Sequence, residues 1–212
     1  TKGSIRKATQ SLNSKGVAPD MSFVRHQLQE LNPFPRHAFQ ETDDTCYKQW
    51  DLSPAEVKKT LGSMNNDAAP GPSGLTVQAL KRVMATEEGA HTVTTIVNRI
   101  VNGNETNTLG LLGATLVPLV KSTSKVRPIA IGEVLTRLGA KALLRKQSKE
   151  LSWFLRPIQL GVREPAGTEK TIHAVRKQYL AGKAVLSLDI KNAFNSLSRE
   201  RIRRTLHNHL PY

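Results

Sequence analysis

A single carboxylate follows a short apolar segment near the end of the printed sequence. Residues 185–188 read Val-Leu-Ser-Leu, and Asp189 comes directly after them. The segment predicts a buried strand, and an ionised Asp at its end would cost several kcal/mol without a partner. A divalent metal ion is a suitable partner, because two-metal phosphoryl transfer uses carboxylates fixed on rigid strands. Phe194, five residues further on, could then form a wall of a sugar pocket. A helix cap or a turn at Asp189 is the alternative.

The charge of the chain predicts a polyanionic partner. The 212 residues contain 31 Lys and Arg against 17 Asp and Glu, and the net charge of +14 is spread along the sequence. Such an excess is typical of nucleic-acid binders. An anionic membrane surface is the alternative, but no apolar run approaches the roughly 20 residues of a membrane span. The sole cysteine, Cys46, permits no internal disulfide, which fits a reducing intracellular compartment.

Two β-strands joined by a basic turn are predicted in the middle of the chain. Residues 115–121 end in Lys121, and residues 126–131 carry Arg127 near their start. This spacing predicts a hairpin with both cations near its turn. An ammonium and a planar guanidinium together suit the oxygens of a triphosphate. A solvated basic turn is the alternative.

A stiff loop follows a well-marked helix start. Ser53 and Glu56 have the spacing of a capping box, with Pro54 in the first turn. After that helix, residues 68–75 include two Pro and two Gly within five positions. Such a loop is stiff at Pro and compact at Gly, so its main chain could lie against a nucleic-acid backbone. An ordinary turn between helices is the alternative.

A second Gly-containing segment precedes a predicted helix. Gln159 and Arg163 lie in it, and Thr168 is the predicted N-cap of the helix. The two polar side chains could meet a template base or phosphate, or could simply belong to a loop.

Five ordered blocks together resemble the reverse transcriptases of non-long-terminal-repeat (LINE-type) retrotransposons. They read A-P-G-P-S-G-L, L-V-P-L-V-K, R-P-I, Q-L-G-V-R and D-I-K-N-A-F. The resemblance implies that Asp189 is catalytic and that the metal lies at Asp189 and Ile190. It also implies that the incoming nucleotide is bound by Lys121, Arg127 and Phe194. The positions that it assigns to template contact are Gly71, Pro72, Ser73, Gly74, Gln159 and Arg163.

The resemblance implies an α+β fold, in which helix-rich fingers join the first strand and helix of a right-hand polymerase palm. It divides the chain into an N-terminal extension (1–50), fingers with the fingers–palm connection (51–184) and the start of the palm (185–212). We expect a truncated chain that is inactive by itself. The second pair of catalytic carboxylates, which the family carries on an aromatic-x-Asp-Asp hairpin, is missing from the sequence.

The implied function is RNA-directed DNA polymerisation with Mg²⁺ as cofactor. The implied partners are an RNA template, a DNA primer or target, and deoxynucleotide triphosphates, with no membrane and with a nuclear location. A non-catalytic nucleic-acid-binding remnant or domesticated module is one alternative, and a group II intron maturase is another. A zinc site finds no support, because one Cys and six scattered His residues offer no recognised ligand spacing.

Overall fold

A computed structural model describes residues 14–33, 49–104, 108–122, 125–162 and 164–209. Cys46 and Arg163, which the sequence analysis singled out, lie outside these residues. Among the described helices, none combines the length and the apolar character that a bilayer crossing requires.

Helices dominate the described chain. In chain order, the elements are α1 (Ser22–Leu31), α2 (Pro54–Gly62), α3 (Val77–Val83), α4 (Glu87–Val101), α5 (Thr108–Leu112), β1 (Ala114–Ser122), β2 (Lys125–Gly132), α6 (Val134–Lys146), α7 (Ser148–Leu155), α8 (Gly167–Leu180), α9 (Ala193–Ser196) and α10 (Arg199–His209). The described residues therefore combine helices with one small antiparallel sheet, which is compatible with the α+β class.

The main hydrophobic core lies between α2, α3, α4 and α6. Val57, Val77, Val97 and Leu138 are fully buried in it. The predicted capping box that starts α2 is confirmed: the Ser53 backbone N–H donates to Glu56 Oε2 at 2.8 Å, and the Glu56 N–H donates to Ser53 Oγ at 3.3 Å. Local sequence thus sets where α2 begins, and apolar packing fixes it against α6.

The predicted hairpin is confirmed as an antiparallel pair of β1 and β2. Leu119 lies opposite Arg127, Val120 lies opposite Val126, and the register shifts between Val120 and Ser122. One face of the hairpin packs against α1 in a second, smaller cluster. Its buried members are Ala18, Val24 and Val126, and the half-buried Leu28, Leu31 and Val120 pack around them.

The prediction of a buried strand at residues 185–188 is wrong for the described structure. Residues 183–190 form no strand, and Leu186 and Leu188 are 81% and 80% exposed. A strand requires a neighbour to pair with, and no other described segment pairs with this one. The described residues consequently contain the two-stranded hairpin but no palm sheet, and the proposed division at residue 185 stays a prediction.

Candidate nucleotide and nucleic-acid interface

The loop at residues 69–75 is fastened to the beginning of α6. The Ser73 backbone N–H donates to Glu133 Oε1 at 2.7 Å, and the Ser73 hydroxyl donates to Glu133 Oε2 at 2.6 Å. Within the loop, the Gly74 N–H donates to the Gly71 carbonyl at 3.0 Å, which closes a turn. Glu133 is only 6% exposed, so these bonds are largely shielded from water. The carboxylate therefore holds the loop in one conformation.

Two further contacts fix the same loop. A Cβ added at Gly71 would lie 2.8 Å from Glu133 Cα and 2.9 Å from Glu133 Cδ, so only glycine allows the loop to approach α6 this closely. Arg137 Nη2 donates to the Ala69 carbonyl at 2.7 Å. The loop is thus attached at its start, at its glycine and at its serine.

The carboxyl of Glu133 is adapted to this role. The hydrogen bond from the Ser73 hydroxyl, followed by that from the Ser73 N–H, lowers the pKa of Glu133 below its ordinary value, and the charge of Arg137 acts in the same direction. Glu133 is therefore ionised at neutral pH. No local pattern predicts this contact, because a Glu before a helix has no visible link in the sequence to a serine at a separation of 60 residues.

The loop nevertheless presents a surface to solvent. Gly71 is buried, whereas Pro72, Ser73 and Gly74 are exposed. A depression of about 490 Å³ lies beside them, and its other lining residues include Thr76, Gly110, Leu111 and Leu135. Template contact through the exposed positions stays a prediction, while Gly71 has a structural explanation in its contact with Glu133.

The end of the hairpin carries a group of exposed cations, which we call the hairpin cations: Lys15, Lys121, Lys125 and Arg127. Lys121 lies at the register shift, while Lys125 pairs with Ser122. Lys15 reaches the same end, because its Nζ donates to the Lys121 carbonyl at 3.4 Å. No described carboxylate forms an ion pair with any of the four. The side chains of Lys121, Lys125 and Arg127 are therefore available to a phosphate group, and the Lys15 ammonium keeps two of its three donors for one.

Other basic side chains have internal structural partners. Lys81 donates to the Met64 carbonyl at 3.0 Å, Lys141 to the Ser63 carbonyl at 3.3 Å, and Arg145 to the Lys59 carbonyl at 3.3 Å. These carbonyls lie at or just beyond the end of α2, where acceptors lack helical partners and the helix dipole favours cations. The net charge of the chain therefore overstates the cations that could bind nucleic acid.

Asp189, Ile190 and Phe194 lie in an exposed segment, and the Phe194 side chain is 95% exposed. Asp189 offers one carboxylate and Ile190 could add only a main-chain oxygen. In the part of the chain that the structure describes, no group of three or more His, Cys, Asp or Glu residues could hold a metal ion. Two-metal catalysis needs more carboxylates than this, so the described residues do not fit a complete Mg²⁺ site.

The segment that contains Asp189 is attached to α1. Asn192 Nδ2 and Asn195 Nδ2 donate to the Leu31 carbonyl at 2.8 and 3.0 Å. Neither asparagine is among the residues predicted from the sequence, because no short-range pattern connects them with residue 31. The one feature of the sequence that could have drawn attention to them is their place next to Asp189 and Phe194 in the block D-I-K-N-A-F-N.

The predicted template residue Gln159 has an internal partner. Its Oε1 accepts a hydrogen bond from the Gly161 N–H at 2.5 Å, and the residue remains exposed. The predicted N-cap at Thr168 is wrong: the helix begins at Gly167, two residues earlier than that cap would require, and Ala166 is the N-cap, in the left-handed conformation. A Cβ on Gly167 would lie 1.8 Å from the Leu160 carbonyl oxygen, which explains the glycine. Template contact by Gln159 stays a prediction.

Comparison with known proteins gives one informative similarity. Over 150 residues, the chain is 28% identical to the Retrotransposable element SLACS 132 kDa protein of Trypanosoma brucei gambiense. The chain is similar to a retrotransposon protein. The match covers 69% of this chain but 12% of the length of that relative. No family model matches the chain. No solved structure matches it either.

Proposed function

We propose that this chain is part of an RNA-directed DNA polymerase of a retrotransposon. The observation that carries the proposal is the group of hairpin cations, which lie together at one end of β1 and β2 without described acidic partners. The similarity to a retrotransposon protein also supports the proposal that this chain comes from a retrotransposon. Because the match covers a small share of that relative, the proposal concerns a longer polypeptide in which these residues bind substrates.

The hairpin cations are proposed to bind the triphosphate of an incoming deoxynucleotide. Lys121 would act as a point charge and Arg127 as a planar donor to two oxygens. Like charges placed together repel one another, so a polyphosphate would relieve that repulsion as it binds. Phe194 would lie beside the sugar and disfavour a ribose 2′-hydroxyl.

The loop fastened by Glu133 is proposed to support the RNA template. A nucleic-acid backbone requires a fixed surface if its register is to be maintained, and phosphate contacts commonly provide such positioning. The attachments of Ala69, Gly71 and Ser73 to α6 supply the rigidity. Pro72 and Gly74 are the exposed loop residues that could approach the backbone, and Gln159 and Arg163 are proposed to extend the contact.

Asp189 is proposed as one of the carboxylates required for polymerisation, with Ile190 beside it. Mg²⁺ would need further carboxylates, which the described residues do not supply. The DNA primer or target is the remaining proposed partner, and a nuclear location is proposed from the resemblance to LINE-type reverse transcriptases alone.

A non-catalytic nucleic-acid-binding module is the second candidate function. The exposed Asp189 and the absence of a metal-holding group among the described residues favour it. Such a module would bind RNA through the same hairpin cations but would have no use for Asp189 or Phe194. A group II intron maturase would share the polymerase chemistry and would differ in having splicing activity.

Nucleotide kinetics of the longer polymerase test the proposed role of the hairpin cations. We expect Arg127→Ala to raise the nucleotide KM or to lower kcat by about tenfold, which corresponds to roughly 1.4 kcal/mol. Lys58→Ala removes an exposed cation from α2 and is the matched control. Equal kinetics for Arg127→Ala and Lys58→Ala would refute nucleotide binding at the hairpin.

A further inference from the structure

We propose that residues 14–32 form a brace that positions the Asp189–Phe194 segment relative to the hairpin cations. Asn192 and Asn195 are the positioning residues through which the brace acts. The inference rests on the proposed function for its catalytic consequence, but the attachment itself can be measured without activity.

The first end of the brace is bonded to the hairpin. The Ala18 N–H donates to the Pro118 carbonyl at 2.8 Å, and the Val120 N–H donates to the Gly16 carbonyl at 3.0 Å. Val17 forms an antiparallel bridge with Leu119, the residue opposite Arg127. Residues 16–18 thus pair with the outer edge of β1, immediately beside Lys121.

Helix α1 continues the brace across the face of the hairpin. Val24 is buried against Val126, and Leu28 and Leu31 pack in the same cluster. Gln27 Oε1 accepts a hydrogen bond from the Val126 N–H at 3.2 Å. Apolar packing and a main-chain hydrogen bond therefore fix the direction of α1 relative to β2.

The second end of the brace is the end of α1. The Leu31 carbonyl accepts from both Asn192 Nδ2 and Asn195 Nδ2, and Asn195 Nδ2 also donates to Asn32 Oδ1 at 3.1 Å. The last carbonyls of a helix lack intrahelical donors, and a carbonyl oxygen has two acceptor positions. The two asparagine amides therefore supply the two donors that the Leu31 carbonyl oxygen lacks within the helix.

The backbone at Asn192 explains why the attachment orients the whole segment. Asn192 has φ of 54°, a left-handed conformation that Asn tolerates better than most residues. The Asn195 and Ser196 N–H groups donate to its carbonyl at 3.1 and 3.0 Å and so form the single turn of α9. Phe194 lies within this turn, so the brace fixes the direction of its backbone, and Asp189 is held near the turn because it precedes Asn192 by three residues.

Asn192→Asp and Asn195→Asp test the brace with almost no change in size. Each variant replaces an amide donor by a carboxylate, which cannot donate at neutral pH and which the negative end of the α1 dipole disfavours. We expect the amides of residues 195 and 196, which donate to the Asn192 carbonyl, to exchange hydrogen about 5- to 10-fold faster in each variant. Exchange in the α4 core serves as the internal reference for intact folding.

Asn104→Asp is the matched control, because Asn104 is exposed and its side chain has no described hydrogen bond. Exchange at residues 195 and 196 that is equal in all three variants would overturn the brace. In the longer polymerase, we expect Asn192→Asp to lower kcat about tenfold while RNA affinity stays unchanged; an unchanged kcat despite faster exchange would overturn the positioning role. If exchange is faster in the variants but the unaltered protein does not polymerise DNA, the proposed function is refuted while the attachment of Asn192 and Asn195 to α1 is still supported.

Discussion

Replacement of Glu133 by Gln should destabilise the protein by releasing the loop at residues 69–75. In the native structure, the two carboxylate oxygens accept separate hydrogen bonds from Ser73, at 2.7 and 2.6 Å. Gln keeps one oxygen for the Ser73 N–H, but its amide nitrogen can only donate to Ser73 Oγ, so the second bond reverses its direction and neither bond keeps a charged acceptor. Hydrogen bonds to charged groups contribute about 1.5–3 kcal/mol and those between neutral groups about 0.5–1.5 kcal/mol, so the weakening of both bonds should cost about 2 kcal/mol.

Urea denaturation of the native chain and of Glu133→Gln measures this difference in the free energy of unfolding. In a thermal melt, the same difference should lower the midpoint by about 4–8 °C for a chain of this size. Glu88→Gln is the matched control, because Glu88 is exposed in the first turn of α4 and should change stability by less than about 1 kcal/mol. A loss below 1 kcal/mol in Glu133→Gln would refute the argument that Glu133 fastens the loop.

The same variant has a defined pH dependence. The pKa of Glu133 is lower in the folded protein than its ordinary value of 4.5, so its stabilising effect is complete above that value. The effect is lost as the pH falls through the lower, folded pKa. The stability difference between the native chain and Glu133→Gln should therefore be constant above about pH 5 and shrink below about pH 4. A difference that grows on acidification would contradict the assigned direction of the shift.

Three further perturbations follow from the contacts. Gly71→Ala should cost about 1–3 kcal/mol, because its Cβ would collide with the Glu133 backbone, whereas Gly62→Ala, where a Cβ meets open space, should be nearly neutral in the same urea titration. If the hairpin cations bind RNA, as in the second candidate function, Lys15→Ala should weaken RNA binding and reduce the magnitude of the logarithmic salt slope by about 1, as expected for one phosphate contact; an unchanged slope would contradict RNA contact by Lys15. Ser53→Ala should destabilise the chain by about 1 kcal/mol through loss of the α2 cap, and a change below 0.3 kcal/mol would contradict the cap's contribution.

Local sequence patterns predicted those elements whose signals lie within a few residues. The capping box at Ser53 and Glu56 needs only its own turn, and the hairpin of β1 and β2 needs two apolar runs with a short connection. Both are confirmed because local geometry largely decides them.

The parts that sequence reasoning missed depend on distant residues. Glu133 finds Ser73 at a separation of 60 positions, and Asn192 finds Leu31 at a separation of 161. Lys15 joins the other hairpin cations only because residues 16–18 pair with β1. These contacts follow from the packing of whole elements, which no local pattern encodes.

The strand expected at residues 185–188 illustrates the opposite error. Its apolar residues suit a buried strand, but apolar character alone does not reveal whether a neighbouring strand is present to pair with it. In the described structure Leu186 and Leu188 face solvent instead. The exposure of Asp189 follows from the same lack of a neighbour.

Primer extension on an RNA template by the proposed longer polymerase tests the proposed function most directly. Asp189→Asn should reduce DNA synthesis at least about a thousandfold, which corresponds to roughly 4 kcal/mol of transition-state stabilisation, while RNA binding stays intact. Asp51→Asn is the control, because Asp51 is exposed and Asn keeps the oxygen that accepts from Asn98. Synthesis that is the same in both variants, or absent from the unaltered protein while RNA is still bound, would contradict the polymerase assignment and favour a non-catalytic nucleic-acid-binding module.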